Sequence, residues 1–193
     1  MKFLFLLMFS LQALAVETGK VAPDFKLPAI SGKAVSLSDF NGKLVVLEWL
    51  NHGCPFVRKH YGSGNMQALQ KKYTGEGVVW LSVISSAEGK QGHVTPSEGV
   101  KEKARHQSAA TDVLLDPKGD VGRLYGAKTT PHMFVITKDG TLAYQGAIDD
   151  HADTDPESVK GARNYVAEAL DALLGGKKVS VATTKSYGCS VKY

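Results

Sequence analysis

Seven residues, Leu44-Val45-Val46-Leu47-Glu48-Trp49-Leu50, run without a spacer into Asn51-His52-Gly53-Cys54-Pro55. A run so nearly continuous in apolar residues has no half-exposed face, so it suits a central strand buried on both sides. The glycine and proline that follow end the strand and open a helix at once. Proline fits the first helical position, where its missing N–H costs nothing. A chain with this junction folds as a sheet with helices packed on it.

The rest of the chain alternates accordingly. Residues 78–84 read as a second buried strand, and Val113-Leu114-Leu115-Asp116 as a third, closed by Pro117. Residues 133–137 and 142–147 flank Lys138-Asp139-Gly140 and predict a hairpin. Helices are expected over about 55–73, broken or kinked at Gly62 and Gly64, then over 98–106 and 120–125. Val159, Ala162, Val166, Ala169, Leu170 and Leu173 lie at helical spacing until Gly175-Gly176 stops them. Ser31-Gly32-Lys33, inside the turn-rich stretch 19–42, predicts a further hairpin. The fold class is α/β: a central mixed β-sheet flanked by helices, with an N-terminal hairpin extension.

Composition narrows the function. With 193 residues, 43% of them hydrophobic, the chain can bury a sizeable core and is not intrinsically disordered. Its net charge of +4 comes from 23 basic and 19 acidic residues spread along the chain. Only pairs such as Lys71-Lys72 and Lys177-Lys178 cluster, which argues against a nucleic-acid partner. Met1-Lys2, the apolar stretch 3–11 and Ala13-Leu14-Ala15 have the layout of a cleavable export leader, too short for a permanent span. The expected organisation is a signal peptide over 1–15, a domain over 16–181 and a C-terminal tail over 182–193. No later segment predicts stable membrane insertion, no cysteine follows the cut to take a lipid, and nothing specifies an oligomeric state. The expected location is the periplasm of a Gram-negative cell, or otherwise the extracellular space.

Export changes the meaning of the two cysteines, Cys54 and Cys189, because disulfides persist there. Cys54 falls where a helix N-terminus leaves N–H groups free and its dipole favours an anion. That setting lowers a thiol pKa and makes the sulfur a nucleophile, and Arg58, about one turn on, adds positive charge. The bland alternative is an inert thiol at a helix cap.

These residues resemble the thioredoxin-like superfamily, in particular its redoxin group of alkyl hydroperoxide reductase and thiol-specific antioxidant type. The resemblance is carried by Ala22-Pro23-Asp24-Phe25, Leu37-Ser38-Asp39-Phe40-Asn41-Gly42-Lys43, the Cys54 turn and Thr129-Thr130-Pro131-His132-Met133-Phe134-Val135-Ile136. It implies a thioredoxin-like fold, thiol-based redox activity, and a cis Pro131 lying against the reactive thiol. The expected catalytic residues are Cys54, Cys189, Pro131, Asn51 and Arg58. His52, Gly53, Pro55, Thr130 and His132 are expected to bind substrate. The partners implied are a disulfide or peroxide substrate and an external thiol reductant.

The chain departs from the family pattern twice. A thioredoxin dithiol has cysteine at both ends of Cys-x-x-Cys, but here the motif is Cys54-Pro55-Phe56-Val57. The peroxiredoxin pattern Pro-x-x-x-Thr-x-x-Cys is also missing, with Leu47 and Asn51 in the Pro and Thr places. Losing the threonine hydroxyl weighs against peroxide reduction. Cys189, in a glycine-bearing polar tail that suits mobility, could resolve a mixed disulfide or sulfenic acid on Cys54. Alternatively it is a static staple, worth roughly 5 kcal/mol for a loop of about 136 residues in the chain-entropy picture.

Three other features invite alternatives. His52, His60 and His132 could gather near Cys54 as a soft-metal site, making the chain a copper-binding or redox-inert module. Glu48, charged within an apolar strand, is either a buried proton acceptor or a strand-end residue facing water or a lysine. Asp149-Asp150-His151-Ala152-Asp153 looks metal-like but reads more simply as a loop capping the next helix. No zinc spacing, phosphate loop or dinucleotide fingerprint is evident, so no metal and no cofactor are expected. The leading expectation is an exported thiol-disulfide oxidoreductase, and the alternative enzyme is a peroxide reductase with Cys189 as resolving thiol.

Overall fold

A computed structural model describes residues 16–193, so the export leader expected over 1–15 lies outside the described residues. The elements are β1 (Lys26–Pro28), β2 (Ala34–Ser36), β3 (Val45–Trp49), α1 (Pro55–Gly62), α2 (Asn65–Gly75), β4 (Val79–Ile84) and α3 (Pro96–Arg105). They continue with β5 (Asp112–Leu115), α4 (Asp120–Tyr125), β6 (Thr129–Thr130), β7 (His132–Ile136), β8 (Leu142–Gly146), α5 (Tyr165–Leu174) and β9 (Cys189–Ser190).

The central sheet has the order β5-β4-β3-β7-β8. β3, β4 and β5 run parallel, β7 pairs antiparallel with β3, and β8 pairs antiparallel with β7. This is the mixed α/β sheet that the alternation predicts. All of β3 is buried because both faces are covered. On one face Leu44, Val46 and Leu50 pack with Val57, Met66, Tyr73, Val166 and Leu170 of α1, α2 and α5. On the other, Val45, Leu47 and Trp49 meet Phe25 and Leu27 of the N-terminal segment and Tyr125 of α4. Each such fully buried side chain contributes about 1.5–3 kcal/mol, so the strand that ends at the Cys54 turn is a rigid base for it.

The start of the last helix differs from expectation. The helical spacing that starts at Val159 yields a short 3-10 turn, Pro156–Val159, and α5 begins only at Tyr165. Gly161, at φ +81°, breaks the run, and the Asn164 side chain accepts from the Ala167 N–H to start the helix afresh. The break near Gly62 and Gly64 falls where the glycines place it, and Gly64, at φ +77°, caps α2.

Candidate active site

β3 delivers the chain into a tight turn. The Cys54 N–H donates to Asn51 O at 2.9 Å and the Gly53 N–H to Asn51 Oδ1 at 2.8 Å. Asn51 Nδ2 donates in turn to Gln91 O at 3.2 Å, which ties the turn to the loop before α3. Cys54 is the N-cap of α1 with Pro55 as its first residue, and the Arg58 N–H donates to Cys54 O at 3.0 Å. Sulfur at an N-cap meets the free N–H groups of the first turn.

Opposite stands the Thr130–Pro131 segment, whose peptide bond is cis. As a thiol, Cys54 donates to Thr130 O at 3.0 Å. β6 pairs antiparallel with β9, setting Thr130 against Cys189, and the Cys189 N–H points at Cys54 Sγ from 3.4 Å. Both thiols are free, with Cys54 wholly buried and Cys189 half-buried.

Electrostatics separates the two sulfurs. Burial alone raises the Cys54 thiol, but hydrogen bonds from the Cys189 side chain and from the Val57 and Cys189 N–H groups outweigh it, and the net shift is downward. Cys189 is pushed up to about 11, first by burial and then by its neighbour Cys54. Cys54 therefore ionises first, and Cys189 holds the proton. Arg58 is exposed, and its charge favours the Cys189 thiolate, against those larger effects.

The tail, whose composition suited mobility, is docked along its length. Thr183 bridges to Gln145, Thr184 Oγ1 accepts from the Ala147 N–H at 2.9 Å, and Tyr193 Oη donates to Ala127 O at 2.7 Å. Tyr187 donates to Asp149 Oδ1, and its oxygen lies 2.9 Å from His60 Nε2. Polar composition missed this because the anchors are backbone bonds at Ala182, Thr184, Val191 and Lys192 together with the side chains of Thr184, Tyr187 and Tyr193, each fitted to a different part of the domain. Gly188, at φ +125°, lets the tail backbone pass so close to Thr130 O that no side chain fits there.

The histidines do not gather around Cys54. His132 lies in the strand register that faces the other side of the sheet and packs on Phe134 at 4.5 Å, with Nδ1 3.3 Å from the Lys128 N–H. His60 is spent on Tyr187 and on Asn65, whose Nδ2 lies 2.9 Å from its Nδ1. His52 stacks on His106 with ring centroids 3.8 Å apart. Burial holds all three neutral, with His60 and His132 pushed down to about 4 and His52 to about 3. Strand alternation turns His132 to the sheet face away from Cys54, and His52 and His60 have partners elsewhere, so the three histidines expected near that sulfur are not brought together there. Among the other expected residues, Thr130 and Pro131 are buried beside the sulfur, Gly53 is half-buried under the Gln91 side chain and Pro55 is exposed.

Glu48 is fully buried and pairs with no lysine among the described residues. It accepts from Tyr61 Oη at 2.9 Å, Trp80 Nε1 at 2.8 Å, Ser82 Oγ at 3.0 Å and Gln70 Nε2 at 3.1 Å. Burial raises its pKa against the pull of these four donors. It has no hydrogen bond to either thiol. The acidic loop does not simply cap a helix: Asp149 and Asp153 flank the buried ammonium of Lys59, at 3.7 and 3.4 Å. Lys59, Tyr187 and Gln91 were missed in the sequence because each acts through a partner far along the chain.

Residues 18–145 match the model of the AhpC/TSA family. The thiol-disulfide oxidoreductase ResA of Bacillus thuringiensis is 30% identical over 127 residues, covering 66% of this chain and 68% of that protein. The thioredoxin-like protein YneN of Bacillus subtilis is 27% identical over 134 residues, covering 69% and 74%. A solved structure of an uncharacterized conserved protein from Geobacillus kaustophilus superposes with a TM-score of 0.77 at 27% identity, over 92% of each chain. The thioredoxin domain of a thiol-disulfide oxidoreductase from Bacteroides vulgatus superposes with a TM-score of 0.55 at 22% identity, over 76% of this chain and 98% of that one, which bears on the fold alone.

Proposed function

The chain belongs to the AhpC/TSA family, within a thioredoxin-like superfamily of thiol redox enzymes, and on that premise we propose that it is an exported thiol-disulfide oxidoreductase working through Cys54 and Cys189. The observation that carries this reading is the Cys189 N–H aimed at Cys54 Sγ from 3.4 Å, with Val57 standing where a second cysteine of the turn would be. The tail supplies the missing thiol.

The Cys54 thiolate attacks one sulfur of a substrate disulfide, forming a mixed disulfide and expelling the other sulfur as a thiolate, which takes a proton. Cys189 loses its proton and attacks Cys54 Sγ, forming the Cys54–Cys189 bond and releasing the second substrate thiol. The substrate gains two electrons and the pair loses two. An external thiol reductant then reopens the bond by the same exchange. Because Cys54 is wholly buried beneath the docked tail, the first step needs the tail lifted and the second needs it returned. Export rests on the leader-like pattern of residues 1–15.

A specific contact favours disulfide over peroxide as the substrate. The Asn51 amide, in the place of the peroxide-binding threonine, is already engaged at both ends, by the Gly53 N–H and by Gln91 O. The test is a substrate panel on the reduced chain, run beside a thiolate titration of Cys54. Reduction of model disulfides with accumulation of a Cys54–Cys189 bond is expected, with a Cys54 pKa below the free value of about 8.5. Hydrogen peroxide consumed faster than any disulfide would transfer the assignment to peroxide reduction. Oxidised protein with both thiols free would end the two-cysteine scheme.

A further inference from the structure

The thiol chemistry leaves one cluster unused. His52 lies in the turn before α1 and stacks on His106, the C-cap of α3, with ring planes 8° apart. Tyr61 closes edge-on against His52 at 5.0 Å. Among the described residues nothing hydrogen-bonds to either nitrogen of His52, and its Nδ1 is buried without a partner. Such orphaned nitrogens are rare, since burying one unmatched costs about 1–3 kcal/mol. Glu102, one turn before His106, sets Oε2 at 3.3 Å from His106 Nε2. One ligand atom from each of the three residues lies within 4.8 Å of the others. They line a cleft of about 550 Å³ that also touches Gly53 and Gly92 and opens to solvent.

We propose that His52, Glu102 and His106 form a binding site for a divalent borderline ion of the zinc class, with the remaining position left to water. Two imidazoles and a carboxylate are a donor set that such ions take, and an open fourth position is common. Bonds of about 2.0–2.1 Å hold tetrahedral ligand atoms about 3.4 Å apart, a spacing the Glu102–His106 pair already has and from which the others are at most about 1.4 Å away.

Three features oppose capture: the ring stacking, the Arg105 contact with Glu102, and the exposed Arg58 side chain that also lines the cleft. Stacked rings cannot both aim lone pairs at one ion, so one must turn. His52 has no hydrogen bond to lose in doing so. Arg105 holds Glu102 Oε2 at 2.5 Å, but its side chain is exposed and free to swing out. Glu102 Oε1 accepts no hydrogen bond among the described residues. An ion here would tie the turn that carries Cys54 to α3, while neither sulfur is a ligand.

The test uses the full chain with Cys54→Ser and Cys189→Ser, so that thiolates cannot bind metal. Zn²⁺ uptake is followed by calorimetry and Co²⁺ uptake by its visible absorption. One ion per chain is expected, with nitrogen and oxygen but no sulfur ligation. His106→Ala and Glu102→Gln should each weaken binding at least tenfold. Both positions lie at the solvent edge of α3, and circular dichroism checks that the variants fold. No uptake by the thiol-free chain, or uptake that His52→Ala and His106→Ala leave unchanged, would overturn the proposal. Uptake only when the cysteines are present would overturn it too, because the ion would then belong to the sulfurs.

Discussion

Tyr187→Phe removes one oxygen from the joint that holds the tail over Cys54. Asn65 Nδ2 can only donate, so His60 Nδ1 accepts from it, and the neutral ring carries its proton on Nε2. That Nε2–H donates to Tyr187 Oη at 2.9 Å, and the hydroxyl donates onward to Asp149. Phenylalanine keeps the ring against Phe56, whose centroid lies 5.8 Å away, so the change is confined to the hydroxyl. With the tail docked, His60 Nε2–H is left buried and unmatched and Asp149 loses a donor. With the tail lifted, water serves both. A hydrogen bond to a charged group is worth about 1.5–3 kcal/mol, so the docked state loses about 2 kcal/mol. At 1.4 kcal/mol per factor of ten, the lifted fraction rises about 30-fold.

Cys54 is inaccessible while the tail is down, so alkylation of its thiol reads the lifted fraction directly. In a Cys189→Ser background, iodoacetamide should label Cys54 about 30-fold faster in Tyr187→Phe than in the parent. The thiolate fraction, titrated in each variant, corrects for any change in intrinsic reactivity. An unchanged corrected rate would refute the claim that the Tyr187 joint gates the sulfur.

Three further outcomes follow from the same geometry. Cys189→Ser should leave the first exchange intact and abolish turnover, and mass spectrometry should find the substrate fragment trapped on Cys54; a static staple predicts normal turnover and a lower melting temperature instead. Gly188→Ala sets a Cβ against Thr130 O at φ +125°, so β9 should fail to dock and the Cys54–Cys189 bond should not form under mild oxidation, while the melting transition of the sheet stays near the parent value. Stability should fall as pH drops below 6.5: unfolded histidines take up protons there, while His52, His60 and His132 resist to about 3, 4 and 4, so the unfolded state binds more protons. Relative to pH 8, each of the three costs about 1.4 kcal/mol by pH 5.5, and chemical denaturation at pH 8 and pH 5.5 measures it; a flat profile would refute their burial as neutral rings.

The strand–turn–helix junction was legible because it is local: a buried run, then glycine, cysteine and proline, admits few folds. The same holds for Gly62 and Gly64, which break the helix where they stand. Local reading failed wherever a residue's role depends on a distant partner. Glu48 looked ambiguous because its four donors come from β4, α1 and α2. His132 looked like a site residue because sequence proximity to Pro131 hides the alternation that turns its side chain to the other face. The tail looked mobile because Thr184, Tyr187, Gly188 and Tyr193 are spaced without any period, each fitted to a different part of the domain.

The position of the second thiol has a chemical consequence. In a Cys-x-x-Cys turn both sulfurs belong to one helical turn, so the attacking sulfur stays open while its resolving partner waits beneath it. Here Val57 is buried in the core and contributes only its N–H to the Cys54 sulfur. In the proposed scheme the resolving thiol arrives along Thr130 and covers Cys54. On that scheme substrate and tail exclude one another at Cys54, and the docked β9 shields the buried sulfur from indiscriminate oxidation. Selectivity follows from that competition. A substrate must either wait for the tail to lift or supply contacts that displace it, and one able to pair with Thr129 and Thr130 as β9 does is best placed to compete.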